Sequence, residues 1–148
     1  MTVSSDSASE PNPDSRVVLD TRTAVREAVA AALDTKAEDV RVLHLAAVTD
    51  FVDWFVVASG FNDRQVHAIA DRIEERLREQ GIRPLHVEGQ SAAQWVLLDY
   101  GDFLVHVFLD ERRKFYALER LWRDAPDATA EFQPSAAPVR PPATEFRP

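Results

Sequence analysis

The stretch Trp54-Phe55-Val56-Val57-Ala58-Ser59-Gly60, followed by Phe61-Asn62-Asp63-Arg64-Gln65-Val66-His67-Ala68-Ile69-Ala70, contains the change of period on which the fold turns. Its first part is a continuous apolar run rich in β-branched and aromatic residues, the pattern of a strand buried on both faces. Its second part switches to helical spacing. Val66, Ile69, Ala70, Ile73 and Leu77 make one apolar stripe, and Arg64, His67, Asp71, Glu74, Glu75 and Arg78 make a solvated face. Asn62 with Gln65 three positions on forms a capping pair, and Gly81 supplies the left-handed residue that closes a helix. A buried strand running into an amphipathic helix predicts an α/β domain.

Upstream, Val25, Val29 and Leu33 at spacing four, with Ala28 and Ala32 beside them, predict a helix over residues 21–34 capped by Asp20 or Thr21. Val40 to Leu45 then reads as a strand. Downstream, Ile82 to Glu88 fits a short strand that Pro84 confines to an edge or a bulge. Trp95–Tyr100 and Phe103–Leu109 are apolar runs separated by Gly101-Asp102, a hairpin signal. Glu111 to Arg123 reads as a last helix burying Phe115, Leu118, Leu121 and Trp122, stopped by Pro126. The order αββαβββα predicts a single α/β (α+β) domain with a mixed sheet of about five strands flanked by helices.

Eight of the nine prolines fall outside Asp20–Ala125 and all four glycines fall inside it. The predicted domain is therefore 19–126. Residues 1–18, rich in Ser, Asp, Glu and Pro, and residues 127–148, rich in Pro and Ala with isolated Phe132 and Phe146, are expected to be disordered tails.

Seventeen Lys and Arg against 25 Asp and Glu give a net charge of −8, a field that repels phosphate and argues against primary nucleic-acid binding. The absence of cysteine excludes disulfides and thiolate metal sites. Neither a membrane-spanning run nor the basic and apolar regions of a signal peptide occur, so a soluble cytoplasmic chain is expected. No dinucleotide, P-loop, zinc-protease or hydrolase motif is present. Ser59-Gly60, between strand and helix, is a weak anion-binding signal. Asp50 with Asp53, and Asp99 with Asp102, lack the alternating spacing that aims two carboxylates to one side of a strand, and His44, His67, His86 and His106 lie on separate segments. No catalytic, cofactor or metal site is expected. Arg112-Arg113-Lys114 is a small basic cluster, usually no more than a solvated helix face, that could touch phosphate at the edge of a protein interface.

With Gly101-Asp102 as the whole loop, Tyr100 pairs with Phe103, Leu98 with Val105, Leu97 with His106 and Trp95 with Phe108. One face then holds Val96, Leu98, Tyr100, Phe103, Val105 and Val107 and should lie under helices. The other holds Trp95, Leu97, Asp99, Leu104, His106 and Phe108, a mixture of aromatic, aliphatic and charged groups suited to binding a protein. The pattern by itself favours a plainer alternative: Trp95, Leu97 and Phe108 as core under another helix, with His106 bonded to Asp99.

The segments Asp53–Gly60 and Asp63–Ala70, then Glu88-Gly89, Trp95–Asp102 with Val105–Phe108, and Arg113, Phe115-Tyr116, Leu118-Glu119, Leu121-Trp122 and Asp124–Pro126 together resemble the ribosomal silencing factor family, RsfS or Iojap. The resemblance covers about Thr21 to Pro126, with Val52 where a small or hydroxylated residue is common and a more basic 112–114. It implies a non-enzymatic factor with a nucleotidyltransferase-like fold. That factor would bind the large-subunit ribosomal protein L-fourteen, block subunit joining and so repress translation when nutrients are scarce. The contacts it implies are Trp95, Leu97 and Asp99, with Tyr100 at the rim. Adding His106 of the same face and Arg113 of the last helix gives the expected partner-binding set, with no cofactor. A residual nucleotide-binding or nucleotidyltransferase-like module and a homodimer pairing through the mixed face are the alternative readings.

Overall fold

The computed structural model describes residues 20–110 and 124–133. The expected tail 1–18 and the expected helix 111–123, with Arg113, lie outside the described residues. Helix α1 spans Thr21–Asp34, strand β1 Glu38–His44, β2 Trp54–Gly60, helix α2 Asp63–Glu79, β3 His86–Glu88, β4 Trp95–Asp99 and β5 Phe103–Leu109, and a one-turn helix α3 spans Thr129–Phe132. The strands form one five-stranded sheet in the order β1-β2-β5-β4-β3. Only β2 and β5 run parallel; the other neighbours are antiparallel, so the sheet is mixed as expected.

The central place of β2 follows from its composition, and every residue from Trp54 to Gly60 is buried. Helices α1 and α2 cover one face of the sheet. There Val25, Val29, Val66, Ile69, Ile73 and Leu77 pack on Val56, Val96, Leu98, Val105 and Val107, all fully buried. At about 1.5–3 kcal/mol for each large aliphatic group taken out of water, this layer is the main source of stability. Arg76 joins the two helices by ion pairs to Glu27 at 2.7 Å and Asp34 at 3.2 Å.

The start of α2 is capped as the sequence suggests, the Asn62 side chain accepting from the Gln65 N–H at 2.9 Å. Gln65 also accepts from the Phe61 N–H and donates to the carbonyls of Thr35 and Lys36, tying the start of α2 to the end of α1. The helix ends in a left-handed Gly81 (φ 84°), with the Gly81 N–H on the Arg78 carbonyl and the Ile82 N–H on the Leu77 carbonyl. That pair of bonds is a Schellman closure, and it consumes the beginning of the expected strand 82–88. With Pro84 unable to donate, only His86–Glu88 remain as β3, an edge strand.

The expected end of the folded unit at residue 126 is corrected by the structure. Ala128 and Phe132 belong to the core, Phe132 having no exposure at all. The segment runs along the open edge of β1. The His44 N–H donates to the Pro126 carbonyl at 2.9 Å, the Ala128 N–H to the Val42 carbonyl at 2.8 Å, and the Val42 N–H to Thr129 Oγ1 at 2.9 Å. Unpaired strand edges invite wrong pairing, and this segment occupies one. The Phe132 ring meets Trp54 edge-on at 5.0 Å, with the Arg22 guanidinium 5.0 Å from its centroid.

Candidate partner-binding face

The hairpin has the expected register: Trp95 opposite Phe108, Leu97 opposite His106, Leu98 opposite Val105 and Asp99 opposite Leu104. The Tyr100 N–H donates to the Phe103 carbonyl at 3.0 Å, so Gly101-Asp102 is the whole loop. Of its two residues only Gly101 has positive φ, at 91°, as a hairpin turn with glycine in first place requires. The approach to β4 depends on another glycine. A Cβ on Gly89 (φ 86°) would lie 2.0 Å from the Trp95 carbonyl oxygen, which explains physically why Glu88-Gly89 precedes the strand.

The side of the sheet away from α1 and α2 divides into two halves. On the β1-β2-β5 half, Leu43, Phe55, Val57 and Phe108 are buried with Leu45 and Val52 of the β1–β2 loop and Ala125, forming a second core cluster. On the β4-β3 half, Trp95, Leu97 and Asp99 are only partly covered, as is Leu104 on the adjoining β5, and His86 and Glu88 are exposed. The mixed face is thus core at one end of each row and surface at the other.

His106 stands on the boundary, 5% exposed, its ring edge-on to Phe55 at 4.6 Å. Its partner is Trp95 and not Asp99. Trp95 Nε1 donates to His106 Nδ1 at 3.0 Å, whereas Asp99 Oδ1 accepts from the Gly101 N–H at 2.8 Å. Trp95 and Asp99 both lie diagonally from His106. The long indole spans its diagonal, and the short carboxylate is taken by the turn. Because an indole N–H only donates, Nδ1 is the acceptor and the neutral ring carries its proton on Nε2, which is buried without a hydrogen-bond partner. Burial pushes the His106 pKa down to about 4, so the ring is neutral at physiological pH.

Tyr100 does not stand at the rim of this face. It lies on the helix side, stacked on Phe103 at 4.9 Å and packed against the main core. Its hydroxyl is buried without a hydrogen-bond partner, and burial, followed by the nearby Glu74 carboxylate, raises its pKa. The structure therefore brings Trp95, Leu97, Asp99 and His106 together, places Tyr100 across the sheet from them, and leaves Arg113 outside the described residues. Among the described residues, no group of three or more His, Asp or Glu side chains could hold a metal ion, and no helix is long and apolar enough to cross a membrane.

Charge is unevenly distributed along the chain. The sequence has no Lys or Arg between Arg41 and Arg64 or between Arg83 and Arg112, stretches that contain β2, β3, β4 and β5 with their connecting turn. Asp99 and Glu88 consequently act on the open half of the face with no Lys or Arg from these segments, Glu88 lying 2.6 Å from His86 Nε2, while the Asp102 carboxylate accepts from Thr21 Oγ1 at the start of α1.

A partly covered aromatic and aliphatic strip, edged by carboxylates on a mixed sheet, defines a domain that presents a mixed apolar and acidic surface. The chain belongs to the ribosomal silencing factor family, since the model of "Ribosomal silencing factor during starvation" matches residues 18–147. It is 40% identical over 114 residues to the ribosomal silencing factor RsfS of Bacillus subtilis, covering 77% of this chain and 97% of that protein. A more distant relative, the mouse "mitochondrial assembly of ribosomal large subunit protein 1", is 29% identical over 107 residues, covering 69% of this chain and 47% of that protein. The crystal structure of a Chromobacterium violaceum protein superposes with a TM-score of 0.69 at 33% identity, covering 71% of this chain and 88% of that one.

Proposed function

We propose that this chain silences translation in the cytoplasm by binding the large ribosomal subunit at its L-fourteen protein and keeping the small subunit from joining. It acts by occupying a surface and not by catalysis. The observation that carries the reading is the open half of the sheet face, where Trp95, Leu97 and Asp99 lie together on a segment without cations. Aromatic and aliphatic groups supply interface energy, and uncompensated carboxylates favour a basic protein over phosphate-coated RNA. The name of the mouse relative, which concerns large-subunit assembly, supports the same side of the ribosome.

The test is sedimentation with separated subunits, followed by joining. The protein should travel with large subunits and not with small ones, and should lower the yield of joined ribosomes when added first. Leu97→Ser is the informative variant. Leu97 is partly exposed and lies outside both buried clusters, so its loss should weaken binding about tenfold while leaving the fold intact. Trp95→Ala is less clean, because it also strips His106 Nδ1 of its donor. Equal binding to both subunits, or joining unaffected at saturating protein, would overturn the proposal.

A further inference from the structure

The most exposed large apolar side chains among the described residues lie beyond the strip just described, at one end of the sheet. Phe51, in the loop between β1 and β2, is 88% exposed, and Leu85, just before β3, is 75% exposed. Single apolar groups on a surface are ordinary, but these two flank one structural feature, the Gly101-Asp102 turn. On one side, the Asp53 N–H donates to the Asp102 carbonyl at 2.8 Å, which fixes the loop carrying Phe51 beside the turn. On the other side, the Leu85 N–H donates to the Asp99 carbonyl at 2.7 Å, and Leu85 Cδ1 lies 3.3 Å from where a Cβ on Gly101 would stand. Val48, in the same loop as Phe51, adds a further 41% exposed apolar group.

In the Phe51 loop and the turn the charges have one sign; the neighbouring cations are Arg83, exposed two residues before Leu85, and Arg22 beside Thr21, whose hydroxyl donates to the Asp102 carboxylate at 3.4 Å. Asp50, Asp53 and Asp102 are exposed around the two apolar groups. The loop of Phe51 lies between Arg41 and Arg64, and the turn lies between Arg83 and Arg112, the two stretches without Lys or Arg. Such a surface repels nucleic-acid phosphate and anionic lipid, and it complements a cationic polypeptide that brings an apolar side chain of its own. It is also continuous with the strip on the sheet face, since Asp99 and Leu104 lead directly into the turn.

We propose that this end of the sheet is a second docking element, in which Phe51 and Leu85 grip a Lys- or Arg-rich segment of the same large-subunit protein surface that the Leu97 strip engages. The inference rests on the function proposed above and extends its contact to a part of the molecule outside the expected partner-binding set. Asp50, Asp53 and Asp102 supply the attraction, and the two apolar side chains supply the anchor.

The test uses the full chain and purified large subunits, with binding measured by co-sedimentation titration at low and high salt and folding measured by thermal melting. Phe51→Ser and Leu85→Ser should each weaken binding about fivefold without moving the melting temperature, because both side chains are already in solvent. The pair Asp50→Asn and Asp102→Asn should flatten the salt dependence of binding. If Phe51→Ser and Leu85→Ser bind like the parent while Leu97→Ser is weakened, the second element is refuted and the sheet-face reading stands. If the two are weakened and Leu97→Ser is not, this end alone is the docking surface. If the parent protein fails to bind large subunits, both proposals fall together. Salt dependence unchanged in the Asn pair would overturn the assignment of a cationic partner segment.

Discussion

His106 shows how a single buried group makes stability depend on pH. Burial keeps its imidazole neutral in the folded protein down to about pH 4, whereas the unfolded chain protonates it near the ordinary value of 6.5. Between those values the unfolded state holds the extra proton, so stability rises with pH across the window and falls on acidification through it. The full loss is about 3 kcal/mol, a substantial part of the roughly 5–15 kcal/mol that holds a small domain together. Urea unfolding between pH 7 and 4 should show this decline. His106→Asn, whose amide oxygen can take the place of Nδ1 as acceptor for Trp95, should abolish most of it. A parent protein equally stable across the window, or an Asn variant with the same slope, would mean that the imidazole is not buried neutral. The pattern of alternation located His106 on its strand and face, but not its bond. Both diagonals were open to it, and the choice depended on side-chain length and on the demand of the turn for the Asp99 carboxylate.

At the scale of elements, the segment 124–133 completes the sheet layer. Phe132 fills the space between Trp54 and α1, and Thr129 and Ala128 bond to the edge of β1. Phe132→Ala should therefore cost about 3–5 kcal/mol in urea unfolding, as emptying a buried aromatic site does, and truncation after Pro126 should cost at least as much. Unchanged unfolding midpoints in both would show that the segment is dispensable. Where information is local, elements were legible in sequence. The apolar spacing of α1 predicted Thr21–Asp34 to the residue, and the two-residue loop determined the register of β4 against β5. Where several contacts compete, legibility failed. Ile82 was drawn into the closure of α2, shortening β3, and the burial of Phe132 depends on a strand edge that it meets through a contact 87 positions away in sequence. A lone Phe in a Pro- and Ala-rich stretch carries no period, so nothing local distinguished it from Phe146. The exposed Phe51 and Leu85 were missed for a related reason. Each is an isolated apolar residue in a loop, and only the fold brings both loops to one turn.

Over the described part of the molecule the charges are unevenly placed. Arg76 is engaged with Glu27 and Asp34, and Arg72 with Asp34 and Glu75, all carboxylates of the helix layer. The sheet from β2 to β5, with its connecting turn, carries Asp99, Asp102 and Glu88 and no Lys or Arg. On these strands Asp99 and Glu88 therefore face the open half of the sheet with no Lys or Arg beside them. A field of this kind accelerates encounter with a basic partner more than it tightens the final complex, because its long-range part is screened beyond about 10 Å at 0.1 M salt. Association with large subunits, followed in stopped flow, should slow about tenfold between low and high ionic strength, with dissociation changed much less. Asp99→Asn separates charge from structure in this experiment, since the amide oxygen can still accept from the Gly101 N–H and preserve the turn. That variant should associate more slowly at low salt, converge with the parent at high salt and melt at the same temperature. Association that is independent of salt, or an Asn variant indistinguishable from the parent at low salt, would show that the partner is not drawn by the acidic face.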